Sequence, residues 1–463
     1  MAVSGSHEAG DFEESARVPK LGPPRAVKNL ARFLAGADLP AEALDGGREI
    51  RLVGLIVLVG TVTATLFCAI VHLTTGLGYP YDTFLFRPSV RFSDFTQVYG
   101  LARSYGPPHD TTTVYSTELH LLMTLATALP ASLVWLAFNA LFLATLVCVV
   151  WFGVCRRIGG RPVRVAYTLI FVTLSYPVLF VLDRGNLEML LFVALAAFAY
   201  LHYVRKSAWS WLPLALAVAG KYYLATLLVL YVKERRWREL GLALAAIVGV
   251  TLGSAVALSL HSGFSVLQVL ENTRTTLGGF ADRFTYLAVV QHGHTLWGLV
   301  CMLIVWLNPP VVASHLEPYY FVVCLALFAW VSVRVVNLEL APWQSFTALL
   351  VAGLVLPFQS NDYTLVHMVL PLALIGAYGV QTRHGRRSAV LIALLLIPTA
   401  YVVLIVDVTS SVIVYPLVCV TLLATCLRAQ PSPVVVEDRV DSALSTGSET
   451  ERGRGRPAPA ITA

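Results

Sequence analysis

The chain has 463 residues, of which 57% are hydrophobic and only 13% charged, against about 45–50% and about 25% in soluble domains. That imbalance excludes a water-soluble globular protein, a disordered chain and a nucleic-acid-binding module. The formal charge of +6 fits the lysine and arginine excess that cytoplasmic loops carry in a multi-span helical membrane protein.

Residues 1–49 mix acidic, basic, Gly and Pro residues without strong periodicity and read as a cytoplasmic arm. The first apolar run begins near Leu52, too late and too long for a cleaved secretory signal. Apolar runs then follow at 52–73, 133–154, 165–182, 189–204, 240–260, 319–336, 343–356, 365–380, 389–406 and 411–427. Each is a candidate span, since roughly 20 apolar residues cross a bilayer. The tail, 429–463, is rich in Ser, Pro, Arg and Glu and reads as disordered. The seven cysteines lie in or beside the apolar runs with no CxxC pair, which makes them small packing residues rather than disulfide partners or metal ligands.

Basic residues set the orientation. Arg48 and Arg51 place the arm in the cytoplasm, so residues 76–120 form an external loop. The turn Cys155-Arg156-Arg157-Ile158-Gly159-Gly160-Arg161 is cytoplasmic, and Asp183-Arg184-Gly185-Asn186 is exposed outside by a tight hairpin. The run 209–232 has basic clusters at both ends, Arg205-Lys206 before it and Lys233-Glu234-Arg235-Arg236 after it. One straight span would put one cluster outside. Gly220-Lys221 in its middle instead predicts two half-helices that dip in and return, with Lys221 at the outer side. The run 295–307, closed by Pro309-Pro310, is short enough to be interfacial. The fold expected is therefore all-α and polytopic, with about 12 crossings counting the broken pair and both termini inside.

Ionisable residues then collect on the outer face, where each would cost about 2.5–3.5 kcal/mol at a helix centre. The outer loop carries Arg87, Arg91, Asp94, Arg103, His109, Asp110, Glu118 and His120. The hairpin adds Asp183, Arg184 and Glu188, and the loop before the interfacial run adds Glu271, Arg274, Asp282, Arg283, His292 and His294. A short helix is predicted from Ser93, with Phe95, Val98, Tyr99, Ala102 and Tyr105 on one face, as in a helix lying on a membrane surface. Asp94 at its start has two readings: a cap for free helix N–H groups, or a carboxylate at the water–lipid boundary that serves chemistry. Asp362 has the same pair of readings, with the cap favoured. His367, one turn further on, is either an interhelical histidine or a ligand contact. His292 and His294 could be metal ligands, but an isolated pair in a loop makes a poor site, and no metal is expected. Gly249 and Gly253 read as a close helix-packing face.

The string Ser93-Asp94-Phe95 with Tyr99 resembles the first-loop signature of glycosyltransferase family 87, the polyprenyl-phosphate-sugar-dependent transferases of GT-C architecture. Further likenesses follow in order: Tyr115 with the apolar run 121–130 and Asn139; Arg184-Gly185-Asn186; Gly220-Lys221; the basic turn Arg235-Arg236-Trp237-Arg238; and Ser360-Asn361-Asp362-Tyr363 through Pro371. The sequence departs from the family at Ser116-Thr117, at Tyr222 and at His292-Gly293-His294, where Pro-Pro, Pro and an Asn-x-Ser stretch are usual. The resemblance implies a GT-C-like transmembrane domain over 50–428. Its activity would be inverting transfer of a sugar, mannose favoured over arabinofuranose, from a polyprenyl phosphate to an envelope glycolipid or polysaccharide. The active site would lie on the external face of an actinobacterial-type plasma membrane. It implies Asp94 as the base and Tyr99, Arg184, Asn186, Lys221, Asp362 and His367 as substrate-binding residues, with no cofactor. A transporter or flippase of a lipid-linked sugar is the alternative. Absence of a clear internal repeat and the gathering of charges on one face favour the enzyme. A structural partner without activity is a third reading.

Overall fold

Long apolar helices with little of their surface covered by protein frame the chain. A computed structural model describes residues 46–76, 91–103, 116–284, 293–307, 313–399, 403–405 and 408–428. Among them, four helices are long and apolar enough to cross a membrane, or five if one bent pair counts as a span. They are α1 (Gly46–Thr75), α4 (Ala131–Phe152, continued by a 3-10 turn to Arg157), α10 (Trp237–Ser262) and α13 (Ala313–Asn337). At 1.5 Å per residue, 22 or more residues exceed the roughly 30 Å of hydrocarbon in a bilayer. Only 11–28% of their apolar windows is buried inside the protein. Ile70 and Leu73 on α1, Val248 and Leu252 on α10, and Phe321 and Val322 on α13 are exposed, the pattern of helices that face lipid.

Shorter elements fill the space between them. In chain order after α1 come α2 (Ser93–Arg103) and α3 (Thr117–Ala126); α5 (Arg161–Leu174), α6 (Tyr176–Arg184) and α7 (Glu188–Ala199) follow α4. Next are α8 (Trp211–Gly220), a 3-10 segment (Tyr222–Leu228) and α9 (Val229–Lys233). Beyond α10 lie α11 (Val266–Phe284) and α12 (Leu296–Leu307). Beyond α13 lie α14 (Pro342–Val355), a 3-10 segment (Asp362–Met368), α15 (Val369–Leu374), α16 (Arg383–Leu395) and α17 (Ser411–Cys426). Every residue from Trp343 to Val355 in α14 is buried, so this helix, covered on all sides and mostly apolar, is the centre of the bundle.

Several sequence expectations change in detail. The run 165–182 is two helices, α5 and α6, bent by 50° at Ser175. Pro177 has no N–H for the i−4 carbonyl and its ring crowds that turn, which ends α5. The run 389–406 ends as a helix at Leu395, and a small antiparallel hairpin pairs Val403–Ile405 with Val408–Thr409, the only strands among the described residues. The expected external loop 76–120 runs into α3, which begins at Thr117, and the loop before the interfacial run contains α11. Tyr105, Arg87, His109, Asp110, Tyr115 and His292, together with most of the arm and the tail, lie outside the described residues.

Trp209–Val232 folds as the expected broken pair. Lys221 sits in extended backbone (φ −149°, ψ 115°) between α8 and the 3-10 segment. The far ends meet, since Arg236 donates to the Ser207 carbonyl at 3.1 Å. Basic turns gather at that same end of the molecule. Lys233 donates to the carbonyls of Leu338 and Leu340 and, at 2.6 Å, to Ser345 Oγ. Gln344 donates to the carbonyls of Cys426 and Arg428, and Arg386 pairs with Glu49 at 3.3 Å. Arg157 donates to the carbonyls of Gly376 and Ala377. Those carbonyls belong to a π-helical stretch, Ile375–Gly379, whose wider turn alters the regular helical bonding.

Candidate active site

The start of α2 is held against the turn between α6 and α7 by backbone geometry. Phe92 has φ 54°, a left-handed conformation that a bulky residue adopts at a cost of roughly 1–3 kcal/mol. Its N–H donates to the Asp183 carbonyl at 2.6 Å. Gly185 caps α6 at φ 63°, and a Cβ there would lie 2.8 Å from Phe95 Cβ. Only glycine meets both conditions, the left-handed backbone and the close approach of Phe95. The apolar face of α2 is real, but it packs on protein and not on a membrane surface: Phe95, Val98, Tyr99 and Ala102 cluster with Leu119, Met123, Val134 and Leu187.

This docking presents Asp94 to the N-terminus of α7. Its Oδ2 accepts from Asn186 Nδ2 at 2.6 Å and its Oδ1 from Ser93 Oγ at 3.3 Å. Asn186 Oδ1 in turn accepts from the Glu188 N–H at 3.0 Å, so Asn186 both takes up the first free N–H of α7 and orients Asp94. Burial raises the Asp94 carboxyl above its ordinary value, against the opposing effects of the Asn186 hydrogen bond and of the Arg184 charge, and more weakly of Ser93 and Lys221. Arg184 and Lys221 are therefore both within electrostatic reach of Asp94. Arg184 also lies over the Phe180 ring at 5.5 Å and 4.0 Å from Asp183.

Glu188, two residues beyond Asn186, is the hub, a residue that the sequence places among the outer charges with no role of its own. Its side chain is fully buried and lies 2.9 Å from Lys221 Nζ. Its other oxygen is 2.9 Å from His367 Nε2 and accepts from the Tyr223 hydroxyl at 3.1 Å. A buried carboxylate demands such partners, because an isolated one would be strongly destabilising. Lys221 also stands 5.6 Å above the ring of Tyr363, in cation–π range.

A second polar cluster adjoins the first. Asp362 does not act as a helix cap: its carboxylate accepts from Tyr176 OH at 3.0 Å and lies 3.4 Å from His294 Nδ1. His294 Nε2 is 3.4 Å from Thr364 Oγ1. Ring contacts join the clusters: Tyr176 stacks on Phe180 at 5.7 Å, and Phe180 meets Tyr363 at 5.9 Å with the rings tilted by 47°. Among the described residues no group of three or more metal-ligating side chains occurs.

Of the residues singled out from sequence, Asp94, Arg184, Asn186, Lys221 and His367 thus gather around the α6–α7 turn and Glu188, with Asp362 in the adjoining cluster. Tyr99 does not join them through its hydroxyl, which donates to the Leu129 carbonyl at 2.6 Å and ties α2 to the end of α3. Glu188 carried a sequence signal that went unused, an acidic residue opening an apolar run. Tyr176 and Tyr223 carried none, because tyrosines near span ends are ordinary belt residues. Compared with known protein families, with curated proteins and with solved structures, the chain matches none.

Proposed function

We propose that this chain is a membrane glycosyltransferase that takes a sugar, mannose before arabinofuranose, from a polyprenyl phosphate and passes it with inversion to an envelope glycolipid or polysaccharide. The proposal includes a GT-C-like domain with about 12 crossings and an active site on the external face of the plasma membrane. Support comes from one observation above the others: Asp94, Asn186, Glu188, Lys221 and Arg184 converge on one end of the helices, while the basic turns that mark a cytoplasmic face are joined to one another elsewhere.

In the proposed reaction the acceptor hydroxyl oxygen forms a bond to the anomeric carbon. The bond from that carbon to the phosphate oxygen breaks, and its electron pair leaves with the polyprenyl phosphate. The hydroxyl proton goes to Asp94, a general-base contribution of about 10²–10⁴-fold. Burial that makes this carboxylate more basic suits it to the task. Lys221 and Arg184 stabilise the negative charge on the departing phosphate. Glu188 acts as a positioning residue, holding the Lys221 ammonium at the turn between the half-helices. His367 and Asp362, on the late polar segment, contact donor or acceptor.

The test is sugar transfer by the full chain in detergent, offered polyprenyl-phosphate mannose and polyprenyl-phosphate arabinofuranose with an envelope glycolipid extract. Formation of a glycosylated product from either donor supports the reading. No product from either, with lipid-linked sugar crossing liposomes that hold the protein, would replace it with the transporter.

A further inference from the structure

The basic end of the molecule contains a site that the proposed reaction does not use. A cavity of about 540 Å³ opens between the start of α16 and the end of α17, within the size range of small-molecule sites. Its lining includes Arg386, Arg387 and Arg428 together with the apolar side chains of Val390, Leu391 and Ala424, and no acidic residue. Arg387 and Arg428 are exposed. Arg386 is shared with Glu49 of α1, which fixes one guanidinium at the rim. The apolar side of the cavity continues along α17 to Leu417 and Val420, both exposed.

A cavity of this kind has two chemistries in one space. Guanidinium groups favour phosphate oxygens through paired N–H donors, whereas the apolar wall favours hydrocarbon. Free phosphate would use only the first, and a zwitterionic lipid would bring a cation toward the arginines. We infer that this groove binds one anionic phospholipid, its phosphate and headgroup at Arg386, Arg387 and Arg428 and the upper part of an acyl chain along Val390, Leu391 and α17. Basic pockets between helices at a cytoplasmic membrane surface bind acidic lipids for this reason. The bound lipid would join α1, α16 and α17 through the arginines that they share.

The test uses the full chain in detergent, titrated with phosphatidylglycerol or phosphatidylcholine of the same acyl chains and read by native mass spectrometry. The wild type is compared with Arg387→Gln/Arg428→Gln, which alters two exposed residues and leaves the Arg386–Glu49 pair in place. The expected result is a preference for phosphatidylglycerol of about tenfold or more in the wild type, falling close to parity in the variant. Equal retention of the two lipids by the wild type, or an unchanged preference in the variant, would overturn the inference. Neither readout depends on sugar transfer.

Discussion

Replacing Glu188 by Gln tests the hub of the site. The substitution keeps the shape of the side chain and one acceptor oxygen, so the Tyr223 hydroxyl or His367 retains a partner. It removes the negative charge that lies 2.9 Å from Lys221. The Glu188 side chain is 0% exposed and that of Lys221 17%, so water can take over little of the pairing. Breaking a buried ion pair from one side costs about 3–5 kcal/mol, because the remaining charge is left uncompensated. At about 1 kcal/mol per kelvin of unfolding entropy for 463 residues, that corresponds to a drop in melting temperature of about 3–5 °C. Removing both charges with Glu188→Gln/Lys221→Met should recover most of the loss, since a neutral pair of similar volume is often tolerated. Thermal unfolding in detergent, followed by tryptophan fluorescence, reads all three proteins. Sugar transfer, measured alongside, should fall in the single variant and stay low in the double one, separating stability from the role of Lys221. A Glu188→Gln protein that melts within 1 °C of wild type, or a double variant less stable than the single, would refute this reasoning.

Other outcomes follow from the same geometry. Gly185→Ala forces a side chain into a left-handed position and against Phe95 Cβ at 2.8 Å; it should cost at least about 1 kcal/mol and lower transfer by displacing Asp94, and a wild-type rate would contradict the docking. The acid limb of the transfer rate should lie above the ordinary carboxylate value of about 4, because burial raises Asp94 and the base must be ionised; a rate unchanged down to pH 4 would remove Asp94 from that role. The raised carboxyl favours the folded state below its unfolded value, and that contribution is lost as pH rises through the folded one. The neutral Asp94→Asn protein should therefore melt no lower than wild type at pH 7. Tyr176→Phe removes the donor to Asp362 and should cost about 1–3 kcal/mol, read as a lower melting temperature; an unchanged one would show the bond to be dispensable.

The helical, apolar character of the chain was legible because it is written in composition, whereas of the ten apolar runs only four or five correspond to helices long enough to cross a membrane among the described residues. Lysines and arginines at both ends of 209–232 required a return, and the extended backbone at Lys221 provides it. The apolar period of α2 was likewise readable, although its partner was not: a face of Phe95, Val98 and Tyr99 suits lipid and protein equally well until Leu119, Met123 and Val134 are seen against it. Helix interruptions were harder to read. Hydropathy is blind to backbone geometry, so the 50° bend before Pro177 and the irregular segment from Asp362 to Gly379 looked like ordinary spans. The site shows the same division. Asp94 and Lys221 stood out as charges beside apolar runs, whereas the bonds of Glu188 to Lys221 and His367 join residues 33 and 179 positions away. Without covariation such pairings leave no local mark. Asp362 misled for a related reason, since a cap and a buried partner of Tyr176 have the same neighbours in sequence.

The central claim rests on Asp94 as the group that receives the acceptor proton. The most direct measurement is turnover of a polyprenyl-phosphate sugar by the wild type beside Asp94→Asn, with the anomeric configuration of the product determined. Asn can still accept the hydrogen bond from Asn186 through its amide oxygen, so the variant should elute and melt as a folded protein. The account predicts an inverted product from the wild type and a rate at least about 10²-fold lower in the variant. Equal turnover by the two proteins, or a product of retained configuration, would contradict it.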